Sequence, residues 1–487
     1  MRQRSAAFFI GQQPVARINH HKNLAASSSG SIIAPPAPDI SSVFMKQHRG
    51  LTVWTTAVPL YVELLAVSSI GMMDVFFMSL VSDKAVAALG VCTQVVMIFT
   101  LLIRTLTGGA GAVAAQSLGA GNQEKAVLAF MYTLLLATLC GALFALVLFV
   151  SRGHIGVWMG LSGDTLDIFQ RYLAITGPAF FLLAVRSGYS AIVAVKGKSN
   201  VNLYCSLIAN GVNIVFNAIF VLGWFGFPKM GVEGVAWATV IAYTVQLFLL
   251  AWISHTHLKI RFNFARDILQ RLHKLTRPVM GIAIPNSGDL LSHSIYQVAV
   301  VMIAIRVSDE AVACHTYLRQ IIVVVMLWAY SIGQGQAIWT AHLVGAREFD
   351  KAESEIRKSI ARSLVFTLPV TFLLYLFIDP IIRLLTDNPD IIVMASSAMI
   401  AYLGIELGRG FNTSLSFSLS SAGHAKYPAL LAVIFNWFVG LLTAYVLGIY
   451  FGWGLFGILI GLAMDELARA PLLYRRLISR SWIPRQN

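Results

Sequence analysis

Charge is what this chain has least of. Asp, Glu, Lys and Arg make up 12% of its 487 residues, about half the share of an ordinary soluble domain. Apolar residues reach 57%, and the mean hydropathy is +0.73. An integral membrane protein is indicated rather than a soluble globule. The charge that is present is lopsided, 36 basic residues against 22 acidic, for a net +14. Nucleic-acid binding would need a basic face on a soluble domain. Here Lys and Arg sit mostly in short loops between apolar runs, as topogenic signals do, so no nucleic-acid partner is expected. Cysteine is scarce: Cys92, Cys140, Cys205 and Cys314 lie inside apolar runs without CxxC or metal-ligand spacing, and read as small core side chains. Also missing are HExxH, GxSxG, a Walker loop and a paired-aspartate metal motif; the glycines at 108–111 are not followed by Gly-Lys-Ser. An enzyme is not expected, nor a cofactor, and energy for any uphill transport must come from an ion gradient.

What is there is organised along the chain. Residues 1–50 are polar, with HHKN, SSSGS and APPAP tracts and no continuous apolar core, and read as a disordered cytoplasmic tail. From residue 51, twelve apolar runs follow, the first at 51–79 and the last at 453–474, each about the length of a membrane helix. The expected fold is all-α, with helices 1–6 in a lobe over 51–256, a cytoplasmic linker over 257–277, helices 7–12 in a lobe over 278–476, and a cytoplasmic C-terminus over 477–487. Alternate loops are basic, which places both termini and the linker in the cytoplasm, the chain crossing the cell's inner membrane. The linker, HTHLKIRFNFARDILQRLHKLTRP, spaces Ile260, Phe262, Phe264, Ile268, Leu269 and Leu272 among basic residues. It reads either as an amphipathic helix on the cytoplasmic leaflet or as a solvated connector.

The stretch Pro59–Met78 is an apolar run carrying two carboxylates, Glu63 and Asp74. A carboxylate in hydrocarbon is costly, so it faces a bundle interior or a watery cavity and marks an ion path. The spacing of the two acids is close to a whole number of helical turns, which puts them on one helix face roughly 16 Å apart. The chain also repeats itself at one fixed interval, that from Pro59 to Pro285. The glycines of SLGAGNQEKA and LVGAREFDKA stand at the same interval, as do Gly197 and Gly423, and Asn210 and Asn436. Two parallel six-helix halves follow, and the cleft between such halves is where transporters place substrate.

These residues resemble the multidrug and toxic compound extrusion (MATE) family over about 50–475. The likeness rests on the Pro59…Asp74 spacing, on GAGNQEKA, and on NGVNIVFNAIFVLGWFGFPKMGVEGVAWAT across helices 5 and 6. The overall texture is similar to enterobacterial members that export flavins. The resemblance implies twelve helices in two lobes around a V-shaped cavity, with export of a small molecule driven by inward Na⁺ or H⁺. It implies a cation or proton site on Asp74, Asn213, Asn217 and Thr239. Residues 210, 213 and 217 do share one stripe of helix 5, so the asparagines could complete an oxygen cage or simply join helices 5 and 6. Where some members carry an aspartate this chain has Asn217, and a single carboxylate favours H⁺ over Na⁺. In the second half, family positions for glutamate and aspartate are His293 and Phe411, which puts a second Na⁺ site in doubt.

That half offers instead Asp289, the repeat mate of Glu63, with His293 one turn on, either a proton relay or a hydrogen-bonded structural histidine. Four arginines, Arg104, Arg186, Arg319 and Arg409, lie within apolar runs. Glu406 and Arg409 are an i,i+3 pair and should bond to each other, and Asp465, Glu466 and Arg469 should neutralise one another. Arg104 and Arg186 have no local acid and should face a cavity or a distant partner. Such guanidinium groups suit an anionic substrate, an aromatic metabolite such as FMN or FAD. The alternatives are a multidrug exporter of cations and a flippase of lipid-linked intermediates, a class that usually has more than twelve helices. The partners expected are the ion, the small molecule and the bilayer, around a monomer that bends its first helix near Gly71.

Overall fold

Several helices begin where a short polar side chain takes up orphan backbone donors. Thr52 and Thr55 form a reciprocal capping box at the start of α1 (Val53–Ser79). Ser82 accepts from the Ala85 amide at 3.1 Å to start α2 (Asp83–Gly119), and Asn122 accepts from Lys125 at 2.9 Å to start α3 (Gln123–Val150). Then come α4 (Gly163–Val195), α5 (Ser199–Leu222) and α6 (Val232–Thr256). The next group is α7 (Ile268–Val307), α8 (Asp309–Gly345), α9 (Phe349–Leu376) and α10 (Pro389–Leu419). The span Lys426–Tyr450, α11, is α-helical with π-helical stretches at Asn436–Leu441 and Val446–Tyr450, and α12 covers Gly454–Ile478. The structure is a computed structural model that describes residues 52–258 and 268–483. The 1–50 tail, the middle of the linker and the last four residues lie outside the described residues.

Among the described residues, eleven helices, α1 to α11, are long and apolar enough to cross a membrane. The twelfth apolar run forms α12, 25 residues long, but Asp465, Glu466, Arg469, Arg475 and Arg476 take it below that mark. One boundary differs from the sequence reading. Helix α7 begins at Ile268 rather than near residue 278, because Leu272 and Leu275 are buried in the core beside α2 and α3. Arg271 pairs with Glu124, and the Tyr132 hydroxyl donates to Thr276 at 3.1 Å. The amphipathic segment thus covers protein with this part of its apolar face. Helix α1 runs unbroken through Pro59 and Gly71.

Similar features recur in the second half at the interval that separates Pro59 from Pro285. Ser308 caps α8 through the Ala311 amide at 3.1 Å as Ser82 caps α2, and the short helices Arg152–Trp158 and Ile378–Arg383 follow α3 and α9. Helices α1 to α6 pack on one another, as do α7 to α12. The first helix of each group leans into the other group: Val53 and Ala57 of α1 sit in a core with Ile332, Trp339 and Leu343 of α8, while Val279 and Ile282 of α7 sit with Ala110, Val113 and Ala114 of α2. In lipid such contacts are held by close packing and hydrogen bonds, since the solvent is as apolar as the side chains.

The turn after α2 carries Gly121 at φ +72°, and the corresponding turn after α8 carries Arg347 at φ +62°. A side chain is disfavoured in that left-handed conformation. Arg347→Gly should therefore raise stability by about 0.5–1 kcal/mol, read as a higher thermal midpoint in detergent. An unchanged or lower midpoint would mean that the arginine's own contacts outweigh the strain.

Candidate functional site

The first polar centre forms where α1, α5 and α6 meet. Asp74 is 7% exposed, and Asn213 and Asn217 are fully buried. Asn217 Nδ2 donates to Asp74 Oδ1 at 2.9 Å and lies 3.1 Å from Asn213 Oδ1; Thr239 Oγ1 stands 3.4 Å from Asp74 Oδ2 and 3.5 Å from Asn213 Nδ2. One turn separates the two asparagines on α5, which is why both reach the same carboxylate. The Asn217 amide aims its N–H at Asp74 while that of Asn213 faces Thr239, and Asn217 Oδ1 has no donor among the described residues. The hydrogen bond to the carboxylate thus comes chiefly from the Asn217 amide, with the Thr239 hydroxyl shared between Asp74 and the Val235 carbonyl at 3.1 Å. Asn210, on the same stripe, donates instead to the Ala66 carbonyl at 3.0 Å and joins α5 to α1.

Nearer the start of α1, Glu63 is 5% exposed and interacts electrostatically with Arg104 of α2 and Arg186 of α4. Arg186 donates to Gln246 Oε1 at 2.8 Å, its guanidinium lies 5.3 Å from the Tyr243 ring centroid, and its Nε is buried with no acceptor. Neither arginine makes a close ion pair among the described residues, so two guanidinium groups face one carboxylate. This centre carries net positive charge beside an aromatic ring.

The second polar centre lies among α7, α10 and α12. Glu406 and Arg409 pair as their spacing implies, and Arg469 bridges Asp465 at 3.0 Å and Glu466 at 3.1 Å. Asn412 Nδ2 donates to the Glu466 carboxylate at 2.6 Å. Asp289 faces the charges of Arg469 and Glu466. His293 is not brought to Asp289 by a hydrogen bond: its Nε2 lies 3.3 Å from Gln297 Nε2, and its ring lies 5.9 Å from that of Tyr296. A side chain one turn on reaches the next turn as easily as the previous one, and the amide there takes it. Arg319 of α8 is exposed and makes no close ion pair among the described residues; it lies within electrostatic range of His293 and His315. Phe411 packs in the apolar core. No cluster of three metal-ligating side chains occurs among the described residues.

Sequence reading did not single out Tyr172, Tyr243, Gln246 or Asn412. Tyr172 of α4 is buried beside Thr239 and Asp74. An aromatic or amide inside an apolar run carries no signal of the helix it will meet; the rarity of glutamine and asparagine in such runs was the one usable cue.

The family model MatE matches residues 59–219 and again 285–446, together more than half of the chain. The chain is 30% identical over 426 residues to "Uncharacterized transporter YisQ" of Bacillus subtilis strain 168, covering 87% of this chain and 93% of the relative. It is 24% identical over 416 residues to "Probable multidrug resistance protein NorM" of Thermotoga maritima, covering 85% and 88%. A crystal structure of MATE in the bent conformation superposes with a TM-score of 0.80 at 19% identity, covering 91% of this chain and 97% of that one. An outward-facing multidrug resistance MATE transporter superposes at 0.78 and 20% identity, covering 88% and 95%. None of these descriptions mentions a flavin, and the expected nearness to enterobacterial flavin exporters gains no support from them. The helical fold, the polar centres within it and the twofold match of the family model agree: this chain belongs to the MATE family of multi-pass membrane transporters.

Proposed function

We propose that the chain is a secondary active exporter in which protons moving inward drive small organic molecules outward. The carrying observation is the Asp74 cage. A lone buried carboxylate fixed by N–H and O–H donors from two other helices is a one-proton site, whereas a Na⁺ site would turn oxygens toward the ion. Twelve helices in two six-helix repeats, both termini cytoplasmic, in the inner membrane and acting as a monomer, complete the reading. The double match of the family model and the recurrence of caps and short helices at one interval support the repeat.

The mechanism follows from charge. With the cleft open outward, Asp74 takes up a proton, and the charge-assisted bond from Asn217 weakens to a neutral one. Helix α1 can then repack against α5 and α6, and substrate leaves outward. The emptied halves rock inward, where Asp74 releases its proton. A membrane potential of 100 mV is worth about 2.3 kcal/mol per charge, a concentration ratio near fifty.

The Glu63, Arg104 and Arg186 centre would receive the substrate, and its excess of guanidinium favours an anionic aromatic molecule. Arg319, Arg409 and Glu406 would line the opposite half, with Asp289 and His293 as secondary proton carriers. A second reading, export of organic cations, is favoured by the multidrug resistance names of the relatives. Purified protein in liposomes under an imposed ΔpH or ΔpNa, following efflux of FMN and of a cationic dye, separates the two. FMN should move with ΔpH alone and slow at least about tenfold in Arg104→Ala/Arg186→Ala, the cost of one charged hydrogen bond. Dye moving while FMN stays put would return the chain to the cation exporters. Efflux driven by ΔpNa alone would overturn proton coupling.

A further inference from the structure

At the end where α2 turns into α3 and α8 into α9, the two helices α2 and α8 meet backbone against backbone. A Cβ on Gly119 would collide with the His342 carbonyl oxygen, and one on Gly345 would collide with the Gln116 carbonyl oxygen. Only glycine permits that approach. Two side chains bond across the same crossing. Gln116 Nε2 donates to the Ser421 carbonyl at 2.6 Å, in the turn after α10, and His342 Nε2 donates to the Val195 carbonyl at 2.9 Å, at the end of α4. Gly119 and Gly345, Gln116 and His342, and Val195 and Ser421 are repeat mates, all separated by the interval from Pro59 to Pro285. The crossing is therefore one contact made twice, each half gripping the other by the same means.

Other contacts between the halves lie near this end. Gly109 of α2 packs on Ala283 Cβ and the Val279 carbonyl at 3.0 and 3.2 Å, and Gly335 of α8 on Ala57 Cβ and the Val53 carbonyl at 3.0 and 3.1 Å. The Tyr61 hydroxyl donates to the Val324 carbonyl at 3.4 Å nearer the middle of α8, about 30 Å along that helix from Gly345. Such a seam has two arrangements, made or parted, because close-packed surfaces do not stretch.

We infer that the α2–α8 crossing is a latch: made, it shuts the cleft at this end, and its parting is the step that opens that end. Gln116, His342, Gly119 and Gly345 are then positioning residues that set the balance between the two arrangements without touching ion or substrate. The inference rests on the exporter reading only in that an exporter must alternate.

The test reads distance in the full chain, in nanodiscs, with no substrate and no gradient, so its failure is separable from failure of the exporter reading. Spin labels at Gln123→Cys and Ser354→Cys, exposed in the first turn of α3 and the second turn of α9, report the separation of the two halves in a Cys140→Ala background. The parent should show mainly a short distance. Gly119→Ala and Gly345→Ala should shift the population to a longer one, while Gly108→Ala, with nothing within 4 Å of the added carbon, should match the parent. His342→Leu should raise the long-distance fraction about fivefold, the worth of one hydrogen bond. His342→Gln should restore the parent ratio, because glutamine makes this bond at the matching position. Parent-like distances in folded Gly119→Ala/Gly345→Ala, or a His342→Gln that behaves as His342→Leu, would overturn the latch.

Discussion

Asp74→Asn should yield a folded protein whose gradient-driven efflux is gone, the accumulation ratio of about fifty available at 100 mV collapsing to unity. The amide is nearly the same shape as the carboxylate, and its oxygen can still accept from Asn217 Nδ2, so the junction of α1, α5 and α6 stays joined. Stability should change by about 1 kcal/mol or less, since a buried ion is replaced by a neutral group with the same acceptor. What is lost is the ability to carry a proton. Exchange of labelled for unlabelled substrate, which needs alternation but no gradient, should persist. The two assays run side by side on liposomes make the prediction sharp. Gradient-driven efflux at the parent rate would remove Asp74 from coupling, and loss of exchange as well would make the residue structural.

In the other half, Arg469→Met should cost about 3–5 kcal/mol, the usual consequence of removing one partner from a buried ion pair. Asp465 is 3% exposed, Glu466 accepts from Asn412, and Asp289 adds a third carboxylate to the same neighbourhood. Without the guanidinium, like charges would face one another across α7 and α12 in a medium that screens them poorly. The expected readout is a large fall in thermal midpoint and in the yield of monodisperse protein. Replacing all three charges, Asp465→Asn/Glu466→Gln/Arg469→Met, should recover most of the loss, since neutral groups of similar volume avoid the desolvation cost. A single Arg469→Met as stable as the parent would show that the carboxylates already find protons or water. The triple variant also asks whether the network serves transport, because its stability and its efflux can be compared directly.

Much of this architecture was legible in the residues because the membrane simplifies the code. Apolar runs of fixed length between polar caps mark helices, and a carboxylate inside such a run announces a site. Asp74 met Asn213, Asn217 and Thr239 as the resemblance implies, and the i,i+3 and i,i+4 pairs at 406–409 and 465–469 closed as local spacing requires. Where contacts run between distant helices, periodicity is silent. His293 sits one turn from Asp289 in sequence, and its Nε2 meets Gln297 one turn further on, a contact that spacing alone does not choose. Nothing in the spacing could say that Gln246 and Tyr243 would hold Arg186, or that Tyr172 would join the Asp74 cage. The start of α7 was obscured by Arg271, His273, Lys274 and Arg277, whose charge lowers the hydropathy of a segment that is nonetheless helical and half covered. The π-helical stretches of α11 have no counterpart in α5 and no warning in composition.

The doubly made crossing of α2 and α8 has the form of an isologous dimer interface, in which one residue of the first subunit meets a second residue of its partner and the reverse. A chain with the sequence of either half alone would already carry both sides of that contact. Such a contact needs no third surface, because each half offers at matching positions what the other half meets. The glutamine on one side and the histidine on the other are two different side chains making the same kind of bond to a backbone carbonyl.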